Sequence, residues 1–156
     1  MSDLMRRLEN RFYAAVRHPD AGSVACDAPA VDGDLESLRD AEYCLLVSYR
    51  RDGTPVPTPL WFALDGDRAV FESDADMVKL KRMRRNPHVR VAPATFRGRP
   101  LGPPIEATAR ILEPGEHAGA EAALARKYGL TRRVVARLHP TPPAGLAYVE
   151  LRATDE

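Results

Sequence analysis

Between Met77 and Ile105 the chain carries Lys79, Lys81, Arg82, Arg84, Arg85, Arg90, Arg97 and Arg99, and no Asp or Glu. The remainder holds the other 15 of the 23 basic residues against all 22 acidic ones. One cationic segment on an otherwise acidic chain points to a localised anion site, such as one for a phosphate. Lys79, Lys81 and Arg82 follow Ser73 at or near the start of a helix, where backbone N–H groups also attract anions. A different chemistry is available at Thr58-Pro59-Leu60-Trp61. A hydroxyl, a stiff backbone and an aromatic face suit a flat ring held in a slot.

Other constellations are missing. Cys26 and Cys44 have no metal-ligand spacing, and Cys44 sits in an apolar run as a small core residue. His18, His88, His117 and His139 are scattered, without the three- or four-residue spacing of a zinc site on a helix, so no metal is expected. No nucleophile–base triad or carboxylate pair is visible, and the catalytic residue is left unassigned. Tyr128, just before Gly129, reads as a packing residue at a helix end rather than a proton donor.

The pattern of elements must position these groups. Leu4 to Arg17 predicts a helix, with Leu4, Leu8, Phe12 and Ala15 on one stripe and His18-Pro19 as its stop. Ala21 to Asp34 reads as a loop, and Leu35 to Asp40 as a helical turn. Tyr43 to Tyr49 is a compact apolar strand, Asp52-Gly53 a hairpin turn, and Val56 to Leu64 the returning strand. Pro55, Pro57 and Pro59 place that strand at an edge, at a bulge or beside a ligand. A turn at Asp65-Gly66-Asp67 leads into a strand over Arg68 to Ser73. Asp76 is the expected cap of a helix over Met77 to Arg85, which Asn86-Pro87 stops. Strands follow at Val89 to Phe96 and Ile105 to Leu112, helices at Glu116 to Tyr128 and Thr131 to Leu138, and a closing strand at Leu146 to Leu151. Antiparallel strands joined by hairpins, with inserted helices, predict a mainly β fold of the α+β kind, a barrel with peripheral helices.

The 156 residues suit one compact unit able to bury a core without disulfides. No apolar run approaches the ~18 residues of a membrane span, and the first residues lack an apolar signal-peptide core, so a cytoplasmic location without membrane association is expected. Aromatics are only 6%, with none among Lys79 to Arg85 to stack on bases, which argues against nucleic acid as a partner.

The run from Tyr43 to Leu112 resembles the pyridoxamine-phosphate-oxidase-like split-barrel superfamily, and within it the branch that uses coenzyme F420. The residues that carry the resemblance are Arg51-Asp52-Gly53-Thr54-Pro55-Val56, Thr58-Pro59-Leu60-Trp61-Phe62, Lys79-Leu80-Lys81-Arg82 and Asn86-Pro87-His88-Val89. Downstream, Arg97-Gly98-Arg99-Pro100, Gly102-Pro103, Glu106-Ala107-Thr108-Ala109 and Lys127-Tyr128-Gly129 continue it. Where related sequences often have Ser-Gly before the lysine, this chain has Met77-Val78.

The resemblance implies a split β-barrel, FMN-binding-like, over 35–156, preceded by an extension over 1–34. It implies a homodimer with the cofactor at the subunit interface. Ser73 and Lys79 would contact the cofactor phosphate, with Lys81 and Arg82 nearby. Ser48 and Thr58, Pro59, Leu60 and Trp61 would line the ring pocket. The activity implied is F420-dependent hydride transfer to or from a small organic substrate with an activated C=C or C=N bond. FMN is the alternative cofactor, and a non-catalytic cofactor-binding protein the alternative role. The long acid-free basic stretch favours the more anionic deazaflavin.

Overall fold

The structure is a computed structural model that describes residues 18–138 and 144–154. The helix predicted for Leu4 to Arg17 lies outside the described residues. Seven strands make one antiparallel sheet: β1 Tyr43–Tyr49, β2 Pro55–Trp61, β3 Ala63–Asp65, β4 Arg68–Asp74, β5 His88–Ala94, β6 Ile105–Ile111 and β7 Leu146–Ala153. Their order across the sheet is β2-β1-β5-β6-β7-β4-β3. Among the described residues three helices decorate it: α1 Ala21–Cys26, α2 Val78–Arg85 and α3 His117–Leu138. A short 3₁₀ turn at Leu35–Leu38 matches the expected helical turn, with Asp34 Oδ1 accepting from the Glu36 N–H.

The strand order forces the sheet to curl. Trp61 ends β2 at one edge, Ala63 begins β3 at the other, and only Phe62 lies between them. In a flat sheet, six spacings of about 4.8 Å would hold those edges ~29 Å apart. Two residue steps reach only about 7 Å. The edges therefore meet, and the sheet rolls into a split barrel with its seam at Phe62. The expected single strand over Val56 to Leu64 is thus two strands that belong to opposite edges.

Phe62 is fully buried, and its backbone groups fall between the two ladders. Such groups need partners. The Tyr128 hydroxyl supplies them: it accepts from the Phe62 N–H at 3.1 Å and lies 2.7 Å from the Phe62 carbonyl and 2.6 Å from that of Glu42, donating its proton to one of these. The Trp61 ring stacks on Tyr128 at 4.7 Å. Beside it the Lys127 ammonium donates to the Ala41 carbonyl at 2.8 Å and sits 3.5 Å from the centre of the Phe62 ring. Tyr128 is a packing residue, as its position before Gly129 predicted, and what it packs is the seam.

The prolines of β2 stand at every second position, 55, 57 and 59, opposite Tyr49, Val47 and Leu45. An antiparallel strand aims the N–H groups of alternate residues at the same side. Val56, Thr58 and Leu60 face the β1 ladder, and the prolines turn their missing donors to the free edge, where none is needed.

Leu46, Phe71, Val91, Ala107, Val149 and Leu151 fill the interior, closed by Leu80 and Met83 of α2. On the outer face α1 covers Leu45, Val47 and Ala92, and the first half of α3 covers Ala63, Val70 and Tyr148. The segment 21–34, expected as a loop, therefore contains a helix. At six residues α1 is too short to persist alone. Burial of Ala21 and Val24 holds it, and Arg90 donates to the Val24 and Ala28 carbonyls at its C-terminal end, at 3.3 and 2.9 Å. Asp76 does not cap α2. Met77 takes that position in an extended conformation, with no side-chain cap.

Gly129, at φ 50° and ψ −122°, breaks α3 into the two helices the sequence predicted. Arg132, beyond the break, donates to Glu121 before it at 3.1 Å and to Glu72 of β4 at 2.8 Å. No helix among the described residues is long and apolar enough to cross a membrane.

Candidate functional site

The alternation of strand directions places the predicted polar groups. β1 and β4 are four strand steps apart in an antiparallel sheet, so they run the same way and end at the same rim. Ser48 is the next-to-last residue of β1, and Ser73 of β4. Ser48 lies on the face of Leu46, and Ser73 on the face of Phe71, so both turn toward the interior. α2 starts soon after Ser73 and packs across the rim against β1 and β6. There Arg82 donates from Nε to Ser48 Oγ at 2.8 Å, and Arg85 donates to the Tyr49 carbonyl at 2.9 Å.

Side chains along α2 divide as a helix requires. Leu80 and Met83 point into the barrel, Lys79 and Arg82 flank them half-buried, and Lys81 stands exposed. Ser48 is only 1% exposed, which covers it from direct contact with a ligand in the single chain. Its role there is to fix the Arg82 guanidinium. Ser73, also buried, bonds the Asp74 carbonyl at 3.2 Å.

The four-residue run at 58–61 is not one lining. Thr58 pairs with Leu46 and Leu60 with Cys44, so these two share the interior face with Ser48. Pro59 and Trp61 pair with Leu45 and Tyr43 on the outer face. Trp61 also sits at the far end of β1, ~17 Å of strand from Ser48, and its ring is committed to Tyr128. The structure thus gathers Ser48, Ser73, Thr58, Leu60, Lys79 and Arg82 toward one rim and interior. It leaves Pro59 and Trp61 elsewhere.

The basic stretch is divided as well. Arg90 is spent on Glu106, at 2.8 Å, and on α1. Arg97 and Arg99 follow the end of β5 beside Tyr43, the other rim. Only the α2 cations stay with Ser48 and Ser73. Arg85, through its bond at Tyr49, joins that rim without having been singled out from the sequence. The signal was its place one helical turn beyond Arg82.

Electrostatics sharpen the separation. Burial pushes the Cys44 thiol up to about 12, which makes it an inert core residue. Desolvation pushes the Lys127 ammonium at the seam down to about 8. Burial also raises Tyr128 above its ordinary value. On the outer face burial works against the Glu150 carboxylate, but hydrogen bonds from Arg110 at 2.8 Å and Arg68 at 3.1 Å outweigh it and hold its pKa low. A surface cavity of about 240 Å³ is lined by Asp34, Leu35, Glu36, Leu64, Gly66 and Asp67. Its carboxylates make it a poor place for an anion, and it lies apart from the α2 rim.

A family model described as pyridoxamine 5'-phosphate oxidase matches residues 34–150. No curated protein matches the sequence. Among solved structures, an F420 reductase is 22% identical over 81% of this chain and 97% of that one, with a TM-score of 0.51. An FAD-binding protein from Mesorhizobium loti is 17% identical over 77% and 86%, with a TM-score of 0.55. A heme storage protein from Vibrio cholerae is 12% identical over 78% and 87%, with a TM-score of 0.58. At these identities the neighbours establish the fold, which is the split barrel derived above from the seam. The family match covers the first six strands whole and β7 as far as Glu150, and the chain belongs to the pyridoxamine 5'-phosphate oxidase family.

Proposed function

We propose that this protein is an F420-dependent oxidoreductase acting on a small organic substrate with an activated C=C or C=N bond. The observation that carries the reading is the cationic corner at the α2 rim. A guanidinium is fixed there by a buried hydroxyl, with Lys79 and Lys81 on the same helix and Ser73 at the same rim of the sheet. That donor set matches a phosphate group. In this reading Arg82, Lys79 and Ser73 bind the phosphate, Lys81 attracts the acidic tail, and Ser48 positions Arg82. Thr58 and Leu60 form the wall behind the ring, while Pro59 and Trp61 serve the outer face. The bound deazaflavin supplies the hydride chemistry, and the protein supplies charge and position. The F420 reductase among the neighbours supports the cofactor class, and the FAD-binding neighbour supports a flavin of some kind.

The protein is proposed to work as a homodimer, with a second copy completing the slot for the ring. The exposed stripe of Leu130, Val134 and Leu138, on one face of the second half of α3, supports a protein contact. Side-by-side titration of the pure protein with F420 and FMN tests the reading. Tight, saturable perturbation of F420 absorbance, with weaker or no response to FMN, is the expected result. A protein that binds FMN alone would be a flavin oxidase or reductase instead. One that binds F420 but never turns over with nitro, enone or imine acceptors would be a carrier.

A further inference from the structure

Beyond the break at Gly129 the described side chains of α3 fall into two groups. Leu130, Thr131, Val134 and Leu138 are exposed, and Arg132 alone among them is withdrawn from water, at 12% exposure. The exposed stripe contributes little burial to hold this half of the helix in place. Arg132 supplies a hold of another kind. Its Nη1 and Nη2 donate to the two carboxylate oxygens of Glu72 on β4, at 3.1 and 2.8 Å. Its Nε and Nη2 donate to the two oxygens of Glu121 in the first half of α3, the Nε bond at 3.1 Å. The guanidinium thus holds two carboxylates at once, each through the two-point contact that its planar fork favours. The Tyr148 hydroxyl donates to Glu121 at 2.6 Å and fixes that partner in turn.

Gly129 has the properties of a hinge. Its φ is 50°, and nothing lies within 4 Å of where a side chain would start, so the backbone can turn there without collision. The tie also lands at a particular place. Glu72 immediately precedes Ser73. Two residues beyond Ser73, the Ala75 N–H donates to the Gly145 carbonyl at 3.0 Å. Arg132 and Gly145 therefore grip the end of β4 on either side of Ser73. We propose that the second half of α3, residues 130–138, is a flap hinged at Gly129 and latched by Arg132 to the end of β4, so that order in the flap and order at the Ser73 rim rise and fall together. The coupling to the rim rests on the cofactor reading above, and the latch stands without it.

Hydrogen–deuterium exchange read by mass spectrometry tests both parts in the full-length protein. Wild type, Arg132→Leu and Glu72→Ala are compared with and without F420, each shown by far-UV circular dichroism to be folded. Without cofactor, the amides of 130–138 are expected to exchange at least about tenfold faster in both variants. Those of 118–128, held by the buried Ala120, Ala123 and Leu124, are expected to keep the wild-type rate. Glu72→Ala removes only the sheet side of the latch, and so decides the matter should Arg132→Leu fail to fold. With F420 bound, exchange of the wild-type flap is expected to slow, and that of the variant flaps to slow less, because coupling between two sites is reciprocal. Equal exchange of 130–138 in the cofactor-free proteins would overturn the latch. A wild-type flap indifferent to bound F420 would overturn the coupling. Failure of F420 to bind at all would remove the cofactor reading and the coupling with it, while the cofactor-free comparison still decides the latch.

Discussion

A single hydroxyl closes this barrel. Tyr128 satisfies the backbone of Phe62, the one residue between two strands at opposite edges. Its substitution by Phe keeps the stack on Trp61 but leaves a buried N–H without its acceptor. Urea denaturation of Tyr128→Phe is expected to show a loss of about 1–3 kcal/mol. Lys127, beside it, makes a pH prediction. Below pH 8 the folded and unfolded chains both hold its proton. Between pH 8 and 10.5 the folded chain has released it and the unfolded chain has not, so this residue makes stability rise with pH. Much of the side chain stays in water, so the rise is about 1 kcal/mol rather than the ~3 of a fully buried group. Above pH 9 the buried Cys44 acts in the opposite sense, because the unfolded chain ionises first. The difference between wild-type and Lys127→Gln stability curves isolates the lysine. A difference that stays flat across that window would remove this account of Lys127.

Turns and helix breaks show why some elements were legible in the sequence and others were not. Gly129 carries a backbone conformation that only glycine adopts readily, and nothing lies within 4 Å of where a side chain would start. Gly129→Ala therefore costs backbone strain alone, about 1–3 kcal/mol in a thermal or urea melt. Unchanged stability would mean that the break relaxes without cost. That break was visible in the sequence, as were β1, the Asp52-Gly53 turn and the Asn86-Pro87 stop, because each is decided by local chemistry. α1 was not visible, since Arg90, more than sixty residues away, and the apolar patch of β1 and β5 hold it in place. The division of Val56 to Leu64 was hidden for the same reason: the strand pattern runs straight through Phe62, and only closure of the sheet assigns its two halves to different neighbours. The period of two within β2 did hold unused information. It separates Thr58 and Leu60 from Pro59 and Trp61, and so divides the predicted ring pocket between two faces.

At the scale of the whole molecule, antiparallel strands four steps apart bring Ser48 and Ser73 to one rim, and α2 lays its cations across it. Residues far apart in sequence come to the same rim, which is why the candidate site was legible as a list of residue types but not as a place. The central claim is that Arg82, fixed by Ser48, binds the phosphate of the cofactor. Fluorescence titration of F420 into wild-type, Arg82→Leu and Ser48→Ala protein, each shown by circular dichroism to be folded, tests it most directly. The account predicts at least about tenfold weaker binding for Arg82→Leu, worth about 1.4 kcal/mol or more, and a smaller loss for Ser48→Ala. Equal affinity in all three proteins would contradict it.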